Sequence, residues 1–527
     1  MKYKLKKNGL FILSAAAYHI LLLRFHLPYL ISGLAAMVAV IAVAVRIPDL
    51  CQMAMQKRIE IRIWALLAAF AFVPANSRYF MERTLSSEKI LSLIHVHVPG
   101  GMQSARIFVW LVALAAVWFW FVVMCFLCNW LYETMRDIFR QCSKVEMTVF
   151  SLLVLLTGCL LVYVFGNTSA FYEECIVYTA DSGALISPNA YLVIAHFEND
   201  LRQPLFAVFA SPFIGPFYLV GLLLPANLAA LFIALVQLPV LFASCLMIAR
   251  LLTPDPGCRT MFLVVMGCTY PVLLFSMMLE QYIISVFWLI LFLYTAILRK
   301  KDRQFVLVGA AGTLITSVAA GVFLEEKPEE LLKNLTQSGL KGLLLLTFFG
   351  RLDVLVNFQK GMELSRFAGG VTWEEKLLQY LSFVESCLVA PAAEIRSEGS
   401  RMIWSLQKAD AVNMAGVLIL LLAAGGFWLN RQERLVQISA FWILFSWLII
   451  FVIGWGTPEN GTILYALYFG WAFVVLLYKL LESILDRLKF GRLMYPVGVA
   501  ACAVLLAANI PAILQLLAFT AVYSPLH

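Results

Sequence analysis

Charge is what this chain has least of. Asp, Glu, Lys and Arg make up 13% of its 527 residues, about half the share usual in a soluble domain, while 62% are hydrophobic. So few charges cannot coat a water-soluble fold of this length, which excludes ordinary globular classes. Sustained alternation of apolar and polar residues is also missing, and a membrane barrel needs it. Eleven cysteines are scattered, and no CxxC pair has a matching second pair, so neither a zinc site nor a disulfide framework is expected. The lone pair Cys125 and Cys128 lies in an apolar run, where thiols serve as small packing groups. Six histidines make no constellation, and His95 and His97, two apart, would fall on different faces of a helix. Glycine-rich phosphate loops, HExxH helices and GxSxG elbows are all absent, which argues against a metalloprotease.

What the chain has is long apolar runs, with a mean hydropathy of +0.88. Helices satisfy every backbone hydrogen bond within lipid, so the fold class is all-α, a polytopic transmembrane bundle of about 13–15 membrane segments with two larger extracytoplasmic loops. The order of runs divides the chain into N-terminal membrane helices at 1–146, a core at 147–358 with an outer acidic loop at 167–204, a second outer loop at 359–409, and C-terminal membrane helices at 410–527. Basic clusters at Lys2–Lys7, Arg46–Arg62, Arg136–Lys144, Arg299–Arg303, Arg431–Arg434 and Lys479–Arg492 are expected on the cytoplasmic side, with the N-terminus inside and the plasma membrane as location. That topogenic bias accounts for the net charge of +8 without a nucleic-acid partner. Four crossings between 204 and 298 would put Arg299–Arg303 on the wrong side. The stretch 205–224, with Pro204, Pro212 and Pro216 in or beside it, is therefore expected to be re-entrant or interfacial. Runs 304–324 and 340–358 read as spans, and 325–339 as a surface helix.

Candidate chemistry sits at the outer boundary. Glu173, Glu174 and Asp181 follow the run ending near Val164, and Asp200 and Arg202 precede the next one. Carboxylates at a lipid boundary lose solvation unless paired or used. Glu280 opens a later apolar run, where the helix N-terminus alone would stabilise it. The second polar interval carries Arg396 and Arg401.

The sequence Arg202-Gln203-Pro204-Leu205 closes an acidic outer loop, and Leu279-Glu280-Gln281-Tyr282 opens a helix ending in Arg299-Lys300-Lys301-Asp302-Arg303. In this order, over about residues 147–480, the chain resembles the GT-C superfamily of membrane glycosyltransferases. It differs in carrying five apolar runs before residue 167 and a lone Asp181 where the class has an acidic pair. The resemblance implies inverting transfer of a sugar from a polyprenyl-phosphate donor to a glycan, lipid or protein acceptor at the outer face. In that frame Asp181 is the general base, Asp200 an orienter or alternate base, and Arg202, Arg396 and Arg401 contact the donor phosphate, with Glu173, Glu174 and Glu280 as further candidates. No cofactor is assigned; a divalent metal is compatible with such chemistry, but no ligand cluster is evident. The rival expectation is a transporter or flippase of lipid-linked saccharides, a class marked by repeats and broken helices.

Overall fold

A computed structural model describes residues 7–22, 27–82, 101–173, 176–180, 182, 185, 191–194, 202–356, 370–398, 401–407, 411–458 and 461–526. The chain begins with α1 (Gly9–Leu22), α2 (Leu27–Arg46), the short α3 (Leu50–Met55), α4 (Ile59–Phe80), the 40-residue α5 (Gly101–Arg140) and α6 (Lys144–Phe165). After the first loop come α7 (Phe206–Gly221), α8 (Ala226–Leu252), α9 (Pro256–Cys268), α10 (Tyr270–Ser276), α11 (Tyr282–Ile297) and α12 (Arg303–Thr313). A 3-10 segment at Ile315–Phe323 leads to α13 (Pro328–Phe348) and α14 (Trp373–Ser386). A hairpin of β1 (Ala393–Glu398) and β2 (Arg401–Leu406) precedes α15 (Met414–Asn430), α16 (Arg434–Ser446), α17 (Ala466–Arg487) and α18 (Met494–Tyr523).

The fold is an all-α polytopic bundle. Among the described residues seven helices are long and apolar enough to cross a membrane, an eighth crossing is available if the bent pair α9–α10 is one span, and five shorter apolar helices accompany them. Most buried apolar side chains among the described residues form one large cluster reaching from Phe11 to Leu517, and Cys268, Cys502 and Leu505 form a small second one. Cys125 and Cys128 belong to the large cluster, as packing thiols should.

Local sequence sets several helix starts. Ser143 and Glu146 form a capping box at α6, and Thr372 and Glu375 form another at α14. Glycines let α15 approach its neighbours: a Cβ at Gly416 would strike the Leu381 carbonyl, and one at Gly426 the Leu476 carbonyl.

One end of the bundle is a rim of ion pairs. Arg259 grips Glu146 through Nε–Oε1 at 2.6 Å and Nη2–Oε2 at 3.0 Å. Lys7 meets Asp49, Arg299 meets Glu326, Arg303 meets Glu325, and Lys479 meets Glu433 and Glu482. The opposite end is covered by loops. There Ser169 N donates to Ser524 O, and Leu279 N donates to Phe171 O.

Two expectations from hydropathy change. The run 304–324 does not cross: α12 rises about 16 Å over 11 residues, and the nine-residue 3-10 segment returns about 18 Å. Arg303 and Glu325 pair at the base of this re-entrant hairpin. Residues assigned to a surface helix and a separate span form the single helix α13 instead. Because the hairpin returns to its own side, α13 carries the chain to the loop-covered end, and the second loop joins the first. The stretch from 204 to 298 is broken at Thr269, where α9 and α10 bend by 68°. Pro212 and Pro216 stay inside a continuous α7, and the Pro212 carbonyl accepts from Trp64 Nε1 at 2.7 Å. Gly215 of α7 lies over Ala68 of α4, while α8 alone covers the distance to the ion-pair rim, where Arg250 Nη1 donates to Ile138 O at 2.7 Å.

Candidate functional site

The two loops, whose touching residues Tyr178 and Trp404 are 226 positions apart, are zipped together. Tyr178 N donates to Trp404 O at 2.7 Å, and Trp404 N donates to Ile176 O at 2.8 Å, so a short strand of the first loop docks on the hairpin of the second. Trp404 Nε1 also donates to Tyr178 Oη at 2.7 Å, and that oxygen lies 3.0 Å from Tyr270 Oη. Held this way, Tyr178 and Thr179 adopt φ of 51° and 60°, a left-handed conformation costly for a β-branched residue. Gly461 fits beneath them because a Cβ there would strike Thr179 Oγ1. Asp181 follows this strained turn in sequence after the buried Ala180.

Below the loops lies a layer of buried polar groups among the helices. Glu280 is 1% exposed and Gln281 3%, in the gap between α10 and α11. Gln237 of α8 donates through Nε2 to the Glu280 carbonyl at 2.8 Å and to Tyr191 Oη. Two residues of the first loop then stitch this point to α4: the Leu192 carbonyl accepts from Asn76 Nδ2 at 2.8 Å, and Ile194 N donates to Asn76 Oδ1 at 3.0 Å. Arg351, after α13, donates through Nη1 to Ile194 O and to Pro204 O, the latter at 3.2 Å. One guanidinium thus holds both ends of the stretch that contains Asp200. Asp353 accepts from Arg351 Nε at 3.0 Å. On its far side the stretch meets the tip of the re-entrant hairpin: Leu205 N donates to Gly312 O at 2.8 Å, and Ile315 N donates to Arg202 O at 2.7 Å.

The layer is closed toward the ion-pair rim by aromatic rings. Trp130 and Trp288 stack at 5.7 Å and 9°, and Phe209 meets Trp288 edge-on at 4.8 Å. Gly309 sits against this plug, where a Cβ would come within 2.7 Å of the Trp288 ring.

The expected residues distribute unevenly over this site. Arg202 is at its heart through its backbone, and Glu280 is in the buried layer. Glu173 lies in the turn that follows α6, its N–H donating to Ser169 O at 3.1 Å. Arg396 stands on β1 paired with Glu394, both about a third exposed. Arg401 lies across from Glu398 at the hairpin turn. Glu174, Asp181 and Asp200 lie outside the described residues, as do His95 and His97. Among the described residues no three His, Cys, Asp or Glu side chains group as metal ligands. Sequence reasoning missed Arg351, Asp353, Gln237 and Asn76. The signal for each was present, a polar residue interrupting an apolar run, but their runs alone do not say which neighbour each would meet.

Outside the spans, Glu385 at the end of α14 has its carboxyl raised by burial, an effect only partly offset by the hydrogen bond from Asn413 Nδ2. On the rim side, Asp255 is held below the usual range by the N–H of Cys258, which it caps.

No protein family model, curated protein or solved structure matches this chain.

Proposed function

We propose that the chain is a membrane glycosyltransferase that transfers a sugar from a polyprenyl-phosphate donor to an acceptor at the loop-covered face. The observation carrying this reading is one-sidedness: a buried polar layer lies under two interlocked loops and is stopped on its other side by the Trp130–Trp288–Phe209 plug. A lipid-borne substrate enters from the side among helices, while a water-borne acceptor arrives through the loops. Transfer at one face needs only that access. In this reading Asp181, placed in sequence after the strained Tyr178–Thr179 turn, is the general base; a carboxylate in hydrogen-bond reach of an acceptor hydroxyl speeds such steps by about 10²–10⁴. Arg202, Arg396 and Arg401, which belong to the same two loops, are the candidate contacts for the donor phosphate in this reading.

The test is transfer of labelled sugar from a polyprenyl-phosphate donor in membranes holding the full chain. Asp181→Asn is expected to lower the rate at least about a hundredfold at unchanged protein level. Undiminished transfer would refute the assignment of Asp181, and no transfer by the native chain with any such donor would refute the reading. A second reading, translocation of a lipid-linked saccharide, draws on the bent pair α9–α10 and the re-entrant hairpin, since transporters place broken helices at their sites. Movement of labelled lipid-linked sugar between the leaflets of liposomes, without acceptor, would establish it.

A further inference from the structure

The stapling of the loop by Arg351 leaves an edge of that guanidinium unused. Nε goes to Asp353 and Nη1 to two carbonyls, whereas Nη2 has no hydrogen-bond partner among the described residues, although Arg351 is only 3% exposed. The same is true of Tyr18 Oη and Trp120 Nε1, both on side chains 0% exposed. These groups are neighbours. The Tyr18 and Trp120 rings meet edge-on at 5.1 Å, Trp120 stacks on Phe349 at 5.4 Å two residues before Arg351, and the Arg351 charge acts on the Tyr18 hydroxyl. His19, beside Tyr18, lies against Gly350, with Nδ1 3.3 Å from where a Cβ would stand. An unpaired buried donor is costly, and these three come from three helical segments that pack on one another with His19 beside them, so one ligand with several acceptor atoms would satisfy them together.

We propose that Arg351, Tyr18 and Trp120 form a binding site for the phosphate of a lipid phosphodiester. Guanidinium and indole N–H groups only donate, so the ligand must offer several acceptor oxygens, as a phosphoryl group does. Its charge follows from the surroundings. Arg351 is already neutralised by Asp353, Tyr18 and Trp120 are uncharged, and the adjacent His19 can add at most one positive charge, so the site suits one negative charge rather than two. A phosphodiester carries one negative charge; a monoester near neutral pH carries closer to two. The lipid source follows from position, because the donors lie among α1, α5 and the end of α13 within the apolar cluster. The site does not depend on the transfer reading.

The test is thermal unfolding of the full chain in an uncharged detergent, with dihexyl phosphate, hexyl phosphate, inorganic phosphate or dihexyl ether added. Dihexyl phosphate is expected to raise the midpoint in a saturable way, hexyl phosphate less, and the other two not at all. Tyr18→Phe and Trp120→Phe each remove one donor and keep a ring. Each is expected to weaken dihexyl phosphate binding about tenfold or more, since hydrogen bonds to a charged group are the strong kind. Without ligand, Tyr18→Phe is expected to leave the midpoint unchanged or higher, because it deletes an unsatisfied hydroxyl. No saturable shift in the native chain, or an equal shift in both variants, would overturn the proposal. A large loss of midpoint in ligand-free Tyr18→Phe would overturn it too, by showing the hydroxyl already bonded. Inorganic phosphate matching the diester would overturn the lipid source.

Discussion

The ion-pair rim and the buried polar layer solve the same problem in opposite ways. At the rim Lys7, Arg259, Arg299, Arg303 and Lys479 each meet a carboxylate, and the pairs lie where helices end; Arg259 and Glu146 are bidentate at 12% and 0% side-chain exposure. In the layer, polar groups are placed among apolar helices, strained at Tyr178 and Thr179, and incompletely satisfied at Arg351, Tyr18 and Trp120. The rim is organised for stability. The layer carries the kind of local cost that persists where a ligand or a reaction draws on it.

The largest effect should come from breaking the rim. Arg259→Ala strands a buried carboxylate and is expected to cost about 3–5 kcal/mol, read as a fall in the unfolding midpoint, with transfer falling only in proportion to folded protein. Next is the floor of the layer. Gly309→Ala drives a methyl toward the Trp288 ring and is expected to cost about 1–3 kcal/mol by overpacking, with activity falling further than stability. If activity and stability fall together, the plug is ordinary core. A smaller effect of opposite sign is expected at the strained turn. Thr179→Gly relieves the left-handed conformation and should stabilise by about 1 kcal/mol while slowing transfer. Faster transfer would show that the strain serves nothing.

The smallest effect concerns Glu385. Its carboxyl is raised in the folded chain above the unfolded value of about 4.3, so the stability it contributes is complete below that pH and is lost as pH rises through the folded value. Glu385→Gln is therefore expected to raise the midpoint above neutral pH and to leave it nearly unchanged at pH 4. Asp255 has the reverse sign: its stability is present above about pH 3.9 and lost as pH falls through its lowered value.

Composition and hydropathy made the helical class legible, and basic clusters marked helix ends that do gather in one rim. Capping residues such as Ser143 and Thr372 fixed starts that hydropathy left vague. The re-entrant hairpin was not legible, because residues 304–324 are as apolar as a span and nothing local says that Leu314 turns back. Nor was the hairpin β1–β2 expected, since its strands gain their third partner from residues 176–178, far away in sequence. In the site, Arg202 and Glu280 stood out as charges beside apolar runs. Arg351 fell inside the run 340–358 expected to be a span, and its role was not visible until its two carbonyl partners, Ile194 and Pro204, were brought to it by the fold.

The re-entrant hairpin also bears on how the molecule is made. Neither of its arms is long enough to enter a bilayer as a span, so it can be drawn in only against helices already in place. Its tip completes the Arg202–Leu205 segment, and α17 backs it through Tyr468, whose hydroxyl lies 2.8 Å from Ser317 Oγ. A ribosome must therefore deliver more than four hundred residues before the floor of the site can close, and a chain stalled earlier would carry every candidate carboxylate without the chamber that makes them useful.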